Sequence, residues 1–364
     1  MRASALVAAL GVVAGCTAAP PAGAPVPGRA LLYVCNQNDA TVSVIDVATM
    51  TVQRTVDLKT LGFSANAKPH HVAVEPDGSF WYVTLIGDNR IVKLDRGDRV
   101  VAQAQFETPG MLALHPTADL LFVGRSMTAV NPPARIGVLR RSDLRLDEVN
   151  VLFPRPHALS IHPNGTVVYT ASLAVNQMAT LDVNTERVEL IQVAGPQHAL
   201  MQFAISPDGG TLAVSAELSG RVLLYDLANP MKPMWMAEIP VEAQPFDPAF
   251  SPDGRYLVLG NKGTNAVTII DPAKRAILGL VRGAGIAQPH GTLISPDSRF
   301  AYVSNNNLKG TSEHAMHEMV GGSQSMPAQP AGPGAIVVID LNGRRIAKVI
   351  QVGHNAAGIA LSAH

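Results

Sequence analysis

Three histidines share one position in a repeated pattern. They are His70, His157 and His290; each directly follows a proline and lies five residues before the first residue of a corner that contains a second proline. Side chains that hold the same register in successive repeats meet at one place in a cyclic fold. Neutral imidazole is a common transition-metal ligand and a proton carrier. The pattern therefore predicts a metal or acid–base site; the alternative is a set of hydrogen-bonding residues that line a polar channel.

Further potential ligands occur near these positions. His71 adds an imidazole beside the first, and His198 lies three residues before the corresponding position of another repeat. A long segment, residues 305–333, interleaves histidine and methionine at His314, Met316, His317 and Met319. Imidazole and thioether donors suit copper, and three histidines with an open position also suit zinc. The alternative for this segment is a Gly/Pro-rich loop whose methionines bind no metal.

The histidines belong to a repeat whose corner recurs seven times. Six corners contain proline, as in Ser206-Pro207-Asp208-Gly209 and Ser251-Pro252-Asp253-Gly254, and the seventh, at residues 361–364, lacks it. Successive corners are 40, 47, 44, 45, 44 and 67 residues apart. A strand-rich period in the forties predicts a β-propeller with about four strands per blade. We therefore expect an all-β fold, a seven-bladed β-propeller of four-stranded antiparallel blades.

The two ends of the repeat array complement each other. Ala30 to Asn36 and Thr41 to Asp46 have the patterns of the second and third strands of a blade, whereas Ala356 to Leu361 has the pattern of an inner strand. We expect the N- and C-terminal strands to close the ring in one shared blade, because closure removes an exposed sheet edge. Residues 29–364 would then form a single domain, with an insertion loop at 305–333.

The first residues predict export. A basic start and an apolar stretch within residues 1–15 are typical of a signal peptide, and small residues directly precede Cys16. This arrangement resembles a bacterial lipobox with Cys16 as the lipidated residue; the alternative is an ordinary signal peptide with an incidental cysteine. Residues 16–28, rich in Ala, Pro and Gly, suit a flexible tether. We expect an outer-membrane-anchored lipoprotein that faces the periplasm or the cell surface and touches the membrane only through its lipid.

Composition limits the partners further. Lys and Arg number 28 and so do Asp and Glu, which gives a formal net charge of zero, and no basic cluster stands out. The balance argues against nucleic-acid binding. With Cys16 lipidated, only Cys35 would keep a free thiol, which precludes an intramolecular disulfide. We expect a monomer with a metal ion or a small ligand in its axial channel.

Several strand motifs resemble a known repeat family. Tyr33-Val34-Cys35-Asn36, Tyr82-Val83-Thr84 and Tyr302-Val303-Ser304-Asn305 are similar to the YVTN-type propeller repeats of bacterial surface and periplasmic proteins. The resemblance spans essentially the whole mature chain; it implies the fold and leaves the function open. The doubled His70-His71 is similar to the propeller of nitrous oxide reductase, whose histidine ring holds a multinuclear copper cluster. This chain lacks that family's cupredoxin domain, so a complete reductase is not expected.

Three functions follow as alternatives. The first is metal binding on the axis, with copper favoured over zinc, by the histidines and methionines named above. The second is a hydrolase that resembles the seven-bladed lactonases and uses the three histidines of shared register, with Asp247 or Glu242 as acid or base. The third is a non-catalytic scaffold that holds a periplasmic protein partner on loops 125–134 and 305–333.

Overall fold

Seven four-stranded antiparallel sheets form a closed ring, which confirms the predicted fold class. The structure, a computed structural model, describes residues 30–309 and 329–362. In each sheet the strands run in order from an inner strand to an outer edge strand. The seven inner strands contact one another in an unbroken cycle, so they surround a common axis. Blades are numbered 1 to 7 in the sequence order of these inner strands.

Strands of equal rank have similar lengths in all blades. From blade 1 to blade 7, the inner strands are β4 (Pro69–Val74), β8 (Pro109–Leu114), β12 (Pro156–Ile161), β16 (Leu200–Ile205), β20 (Pro245–Phe250), β24 (Pro289–Ile294) and β30 (Ala356–Leu361). The second strands are β5 (Phe80–Leu85), β9 (Leu120–Arg125), β13 (Val167–Ser172), β17 (Thr211–Ala216), β21 (Leu257–Asn261), β25 (Phe300–Asn305) and β1 (Leu31–Asn36). The third strands are β6 (Arg90–Asp95), β10 (Arg135–Arg140), β14 (Gln177–Asp182), β18 (Arg221–Asp226), β22 (Ala266–Asp271), β28 (Ala335–Asp340) and β2 (Thr41–Asp46). The outer strands are β7 (Val100–Gln105), β11 (Leu146–Asn150), β15 (Val188–Gln192), β19 (Met234–Pro240), β23 (Ala276–Val281), β29 (Arg345–Gln351) and β3 (Thr51–Asp57).

Side-chain hydrogen bonds shape the corner between the inner and second strands. In blade 5, Ser251 Oγ donates to Asp253 Oδ1 at 2.7 Å and accepts from the Tyr256 N–H at 2.9 Å. Gly254, at φ 73°, donates its N–H to the Ser251 carbonyl at 2.8 Å. This left-handed backbone favours glycine, and the blade 6 corner uses Ser298 at φ 58° instead. The Ser-Pro-Asp-Gly motif thus encodes a tight hairpin in its own side chains.

The ring closes in blade 7 as the sequence predicts. Strand β1 pairs with β30, so that Leu32 lies opposite Leu361. The Leu31 N–H donates to Ser362 Oγ at 2.9 Å, and the Ser362 N–H donates to the Leu31 carbonyl at 2.9 Å. Hydrogen bonds between residues 331 positions apart therefore join the two ends of the described chain.

The outer strands are the most exposed strands of the blades. Every residue of the second strands β1 and β13 is buried, whereas the outer strand β15 is partly or fully exposed throughout and the outer strand β3 buries only Val56. Aromatic side chains fill the space between sheets; the rings of Tyr33 in blade 7 and Trp81 in blade 1 have centroids 5.3 Å apart. Each fully buried large apolar side chain contributes about 1.5–3 kcal/mol. The core is therefore a set of inter-blade layers that hold the inner strands at fixed distances from the axis.

Two predicted segments lie partly outside the described residues. The insertion begins and ends with a short ladder between β26 (Leu308–Lys309) and β27 (Gln329–Pro330). Residues 310–328 lie outside the described chain, and with them His314, Met316, His317 and Met319; so do residues 1–29, which include Cys16. Cys35 is a free, buried thiol. In the part of the chain that the structure describes, helices are limited to the 3-10 turns Leu58–Leu61 and Lys262–Thr264, and none could cross a membrane.

Candidate functional site

A β-bulge interrupts the start of every inner strand. In blade 3, Pro156 pairs with Ser172 and Ala158 pairs with Ala171, so His157 has no residue opposite it. A bulge breaks the in-and-out alternation of a strand and re-aims the bulged side chain. The second residue of each inner strand therefore lies at the bulge. We call these residues the inner ring: His70, Gly110, His157, Met201, Phe246, His290 and Ala357.

A backbone hydrogen bond next to the inner ring also repeats in every blade. Two residues before each inner-ring position the backbone is left-handed, with φ between 42° and 57°. The carbonyl at that position accepts a hydrogen bond, 2.7–3.2 Å long, from the N–H that directly follows the second strand. All seven blades repeat this bond. We call its donors the upper ring: Gln37, Ile86, Ser126, Leu173, Glu217, Lys262 and Asn306.

Three imidazoles occupy one side of the inner ring. The rings of His290 and His70 have centroids 5.8 Å apart and are nearly perpendicular, across the small Ala357 of blade 7. His70 and His157 flank Gly110 of blade 2, where an added Cβ would lie 2.6 Å from the backbone of the second strand. Small residues between the histidines therefore leave room for the rings to approach each other. All three are buried, at 2–4% exposure.

Hydrogen bonds fix different tautomers in two of these rings. Gln37 donates through its amide nitrogen to Nδ1 of His70 at 3.0 Å, which places the proton of the neutral ring on Nε2. His157 donates from Nδ1 to the Arg125 carbonyl at 2.8 Å, which leaves the lone pair on Nε2. The Nε2 atom of His70 is therefore a hydrogen-bond donor, whereas the Nε2 atom of His157 is a proton acceptor.

His71, next to His70 in β4, forms a structural hydrogen bond. Its Nδ1 accepts a hydrogen bond from the Leu112 N–H at 3.2 Å. Burial, followed by repulsion from His70 and His157 when they are charged, lowers the pKa of His71 to about 3. The ring therefore stays neutral near pH 7 with its Nδ1 lone pair engaged. That repulsion also shows that His70 and His157 each lie within electrostatic reach of His71.

His198, a predicted ligand, is held away from this role by its own hydrogen bonds. Its Nε2 donates to the Ala194 carbonyl at 2.9 Å, and its Nδ1 accepts from Ser219 Oγ at 2.8 Å. Both ring nitrogens therefore stabilise the loop before β16.

The two predicted carboxylates differ in their surroundings. Glu242 pairs with Arg282 and accepts a hydrogen bond from Thr264 Oγ1 at 2.6 Å, at the rim of blade 5. Those contacts give Glu242 a structural role. Asp247 is half-buried in β20, directly after Phe246 of the inner ring.

The inner ring and the upper ring together form what we call the mouth. Apolar side chains fill the side of the mouth opposite the three imidazoles. Met201 and Phe246 of the inner ring pack with Leu173 of the upper ring and with Met127 in one buried cluster. The Phe246 ring also lies 4.9 Å from the His290 ring, measured between centroids. The site is therefore amphipathic, with imidazoles on one side and thioether and aromatic groups on the other.

Three charged residues beside the mouth were missed from the sequence. Glu217 and Lys262 belong to the upper ring and are 2% and 4% exposed, and Arg155 precedes His157 by two residues. A signal for the first two exists, since each lies eleven residues after the first residue of its corner. Counting forward from the corners, as well as backward, would have found them.

The histidines do not form a preassembled metal centre in the described chain. Over residues 30–309 and 329–362, no three His, Cys, Asp or Glu side chains are grouped so that they could hold a metal ion. Methionine is a further potential donor here, because Met127 and Met201 lie in the cluster that contacts His290 through Phe246.

Comparison with known proteins supports the fold. No protein-family model and no curated protein matches the chain. Among solved structures, a protein of unknown function from Desulfotomaculum acetoxidans is 11% identical with a TM-score of 0.70, and covers 92% of this chain and 99% of its own. The periplasmic gluconolactonase PpgL of Pseudomonas aeruginosa is 17% identical with a TM-score of 0.69 and the same two coverages, 92% and 99%.

A third similar structure is the hydrazine synthase of Kuenenia stuttgartiensis, which is 19% identical with a TM-score of 0.62 and covers 81% of this chain and 96% of its own. At these identities the similarities show the propeller fold alone.

Proposed function

We propose that the chain is a hydrolase of small cyclic esters, with its reaction centre at the imidazole side of the inner ring. The observation that carries this proposal is the opposite protonation of Nε2 in two imidazoles of the inner ring, on either side of Gly110: an acceptor in His157 and a donor in His70. Such a pair supplies a base for water and a donor for an ester oxygen. The likeness to a gluconolactonase of the same fold adds support for lactones as the substrate class.

The two imidazoles divide the reaction between them. Nε2 of His157 removes a proton from water as the water oxygen bonds to the lactone carbonyl carbon. The Nε2–H of His70 donates a hydrogen bond to the carbonyl oxygen, which becomes negative in the tetrahedral intermediate. The ring C–O bond then breaks, and the proton held by His157 passes to the leaving oxygen. The product is an open-chain hydroxy acid, and both imidazoles return to their starting tautomers.

Substrate must displace side chains to reach these rings. The three histidines are at most 4% exposed, and the cluster of Met127, Leu173, Met201 and Phe246 fills the opposite side. Unbranched methionine side chains repack at low cost. We therefore assign Met127 and Met201 as the groups that move when a ligand enters.

The test is a hydrolysis assay on the purified full chain. Aliphatic and sugar lactones, including glucono-1,5-lactone, are offered to the parent protein and to His157→Gln and His70→Gln variants. We expect His157→Gln to lower kcat/KM by about 10²–10⁴. The matched control is His354→Gln, because the His354 side chain is 42% exposed and pairs with Asp39 (Nδ1 to Oδ1, 3.0 Å) in blade 7. Activity of His157→Gln within about twofold of the parent would contradict the proposal.

Copper binding is the second candidate, favoured by the soft donors near the imidazoles. Met127 and Met201 pack with Phe246, whose ring contacts that of His290, and thioether with imidazole suits Cu(I). His70 offers a lone pair on Nε2 to a metal only if its proton moves to Nδ1. Gln37 must then turn its side-chain amide so that the amide oxygen accepts the hydrogen bond from Nδ1–H. Zinc is the alternative metal, through the three imidazoles.

Metal content tests this candidate directly. The chain is loaded with Cu(I), Cu(II) or Zn(II), desalted and measured by elemental mass spectrometry. Axial binding predicts stoichiometric metal that is lost in a His70/His157/His290→Ala variant and retained when residues 311–330 are deleted. Metal that disappears only with the deletion would locate the site among His314, Met316, His317 and Met319 instead.

We also propose that the protein works in the bacterial envelope, anchored through Cys16. The support is the lipobox-like sequence before Cys16 and the tether that follows it. Cys16→Ser should move the protein from the detergent phase to the aqueous phase in cell fractionation. Unchanged partitioning would contradict lipidation at this residue.

A further inference from the structure

Asn306 is the upper-ring residue of blade 6, and two hydrogen bonds hold it in place. Its backbone N–H donates to the Gln288 carbonyl at 3.1 Å, and its side-chain Nδ2 donates to the Ala356 carbonyl of blade 7 at 2.7 Å. The residue is 1% exposed. Because Nδ2 must face Ala356 to donate, the orientation of the side-chain amide is determined. Asn306 is therefore a fixed, buried amide between blades 6 and 7.

This amide lies next to the contact between two of the imidazoles. Ala356, which accepts its hydrogen bond, directly precedes Ala357 of the inner ring. The rings of His70 and His290 meet across Ala357, with their centroids 5.8 Å apart. Asn306 therefore belongs to the imidazole side of the mouth, in blade 6 beside the residue that separates the two rings.

The upper-ring residue of the following blade shows what an amide can reach from this position. Gln37 of blade 7 extends to the inner-ring residue of the next blade and donates to Nδ1 of His70 at 3.0 Å. Asn306 holds the same position in blade 6, but the next inner-ring residue is Ala357, which has no polar side chain. The amide of Asn306 therefore has a methyl group as its inner-ring neighbour where the amide of Gln37 has an imidazole.

The Oδ1 atom of Asn306 is a buried acceptor without a donor. Among the residues that the structure describes, none donates a hydrogen bond to it. A buried carbonyl oxygen that stays unpaired costs free energy, which a bound donor recovers. Because an amide oxygen can only accept, the ligand group that pairs with it must carry an O–H or N–H. The imidazole side of the mouth thus offers a fixed acceptor in addition to the Nε2–H of His70.

We propose that Asn306 determines substrate specificity and that its Oδ1 accepts a hydrogen bond from a hydroxyl on the carbon next to the lactone carbonyl. The inference rests on the proposed hydrolase function. His70 holds the carbonyl oxygen, and Asn306 lies beside the contact between His70 and His290, so the hydroxyl that it reaches is one close to the carbonyl. The substrate class is then α-hydroxylactones. An analogue without the hydroxyl binds less well, because it buries Oδ1 and leaves it unpaired.

Two lactones that differ only in this hydroxyl measure the preference. α-Hydroxy-δ-valerolactone and δ-valerolactone are offered to the full chain, and the ratio of their kcat/KM values is compared between the parent and Asn306→Leu. We expect the ratio to fall about tenfold in the variant, because one buried hydrogen bond is lost. Comparing ratios cancels both the intrinsic reactivity of the two lactones and any loss of folded protein.

Two further variants separate recognition from a structural role. Asn306→Asp keeps an acceptor but loses the donor to Ala356, so it should retain the preference; if the bond to Ala356 alone mattered, Asn306→Asp and Asn306→Leu would lose the preference alike. Asn342→Leu is the matched control in the same blade, because Asn342 is exposed and its Oδ1 already accepts from the Tyr256 hydroxyl at 3.0 Å. Its ratio should equal that of the parent.

Binding of lactams distinguishes this inference from the hydrolase proposal. α-Hydroxy-δ-valerolactam and δ-valerolactam keep the ring and the carbonyl but resist hydrolysis, and calorimetric titration gives their affinities. We expect Asn306→Leu to bind the hydroxylactam about tenfold more weakly than the parent does and the plain lactam equally well. That result without hydrolysis of any lactone would remove the hydrolase and leave the hydroxyl-binding site. If the parent binds both lactams equally or binds neither, or if Asn306→Leu keeps the parent's preference, the assignment of Asn306 is overturned whatever the hydrolysis assay gives.

Discussion

Replacing His71 by asparagine should make the propeller less sensitive to acid. In the folded chain the pKa of His71 is lowered from its usual 6.5 to about 3 by burial and by its histidine neighbours. The unfolded chain therefore takes up a proton as the pH falls through 6.5, whereas the folded chain does not until about pH 3. The resulting penalty on the native state is absent well above pH 6.5 and grows as the pH falls from 6.5 towards 3. Asparagine cannot titrate, yet its side-chain oxygen offers an acceptor to the Leu112 N–H.

The size of the effect follows from the two pKa values. At about pH 4.5 the unfolded His71 is protonated and the folded one is not, which costs the native state about 2.7 kcal/mol. Because the residue keeps partial contact with water, we expect about 2 kcal/mol in practice. For a domain of roughly 300 residues this corresponds to about 3 °C in Tm.

Unfolding scans at two pH values measure this difference. Between about pH 7 and about pH 4.5 the parent should lose about 2 kcal/mol more than His71→Asn, by urea titration or by Tm. His354→Asn is the control, since that imidazole is 42% exposed and pairs with Asp39 at the rim. A parallel decline of the parent and His71→Asn would refute the buried, neutral state assigned to His71.

Three further predictions concern single positions. Gly110→Ala should destabilise the fold by about 1–3 kcal/mol, because its Cβ would lie 2.6 Å from the Arg125 backbone; a denaturant midpoint equal to the parent's would contradict the tight contact. Cys35 should react with a thiol reagent only as the chain unfolds, since burial raises its pKa; labelling faster than global unfolding would show otherwise. Gln37→Glu should reverse the His70 tautomer, because a carboxylate accepts from Nδ1–H; the hydrolase proposal then requires lower kcat/KM, whereas unchanged kcat/KM would remove His70 as a donor.

The fold could be predicted from the sequence because the corner has its own chemistry. Ser251 and Asp253 bond within four residues of each other, so the turn is encoded locally and recurs wherever the motif recurs. The shared blade was also predictable, since Ala356 to Leu361 lacked a following strand and Ala30 to Asn36 lacked a preceding one. Period and turn chemistry thus sufficed for the blade count and for the closure.

The site could be predicted only as far as its register. Counting back from the corners found His70, His157 and His290, and the structure brings His70 and His290 into ring contact. Burial and hydrogen bonding were not visible in the sequence, so His198 was grouped with them although its loop uses both of its ring nitrogens. Lys262 was missed because positions were counted only backward from the corners, whereas Lys262 lies eleven residues after the first residue of its own corner.

The two candidate chemistries make opposite demands on one atom. Metal ligation needs a lone pair on Nε2 of His70, whereas oxyanion stabilisation needs a proton there. Gln37 donates its amide N–H to Nδ1 of this ring, and that bond places the proton on Nε2. This bond favours chemistry on an anionic intermediate over metal storage, so the hydrolase is the first function to test.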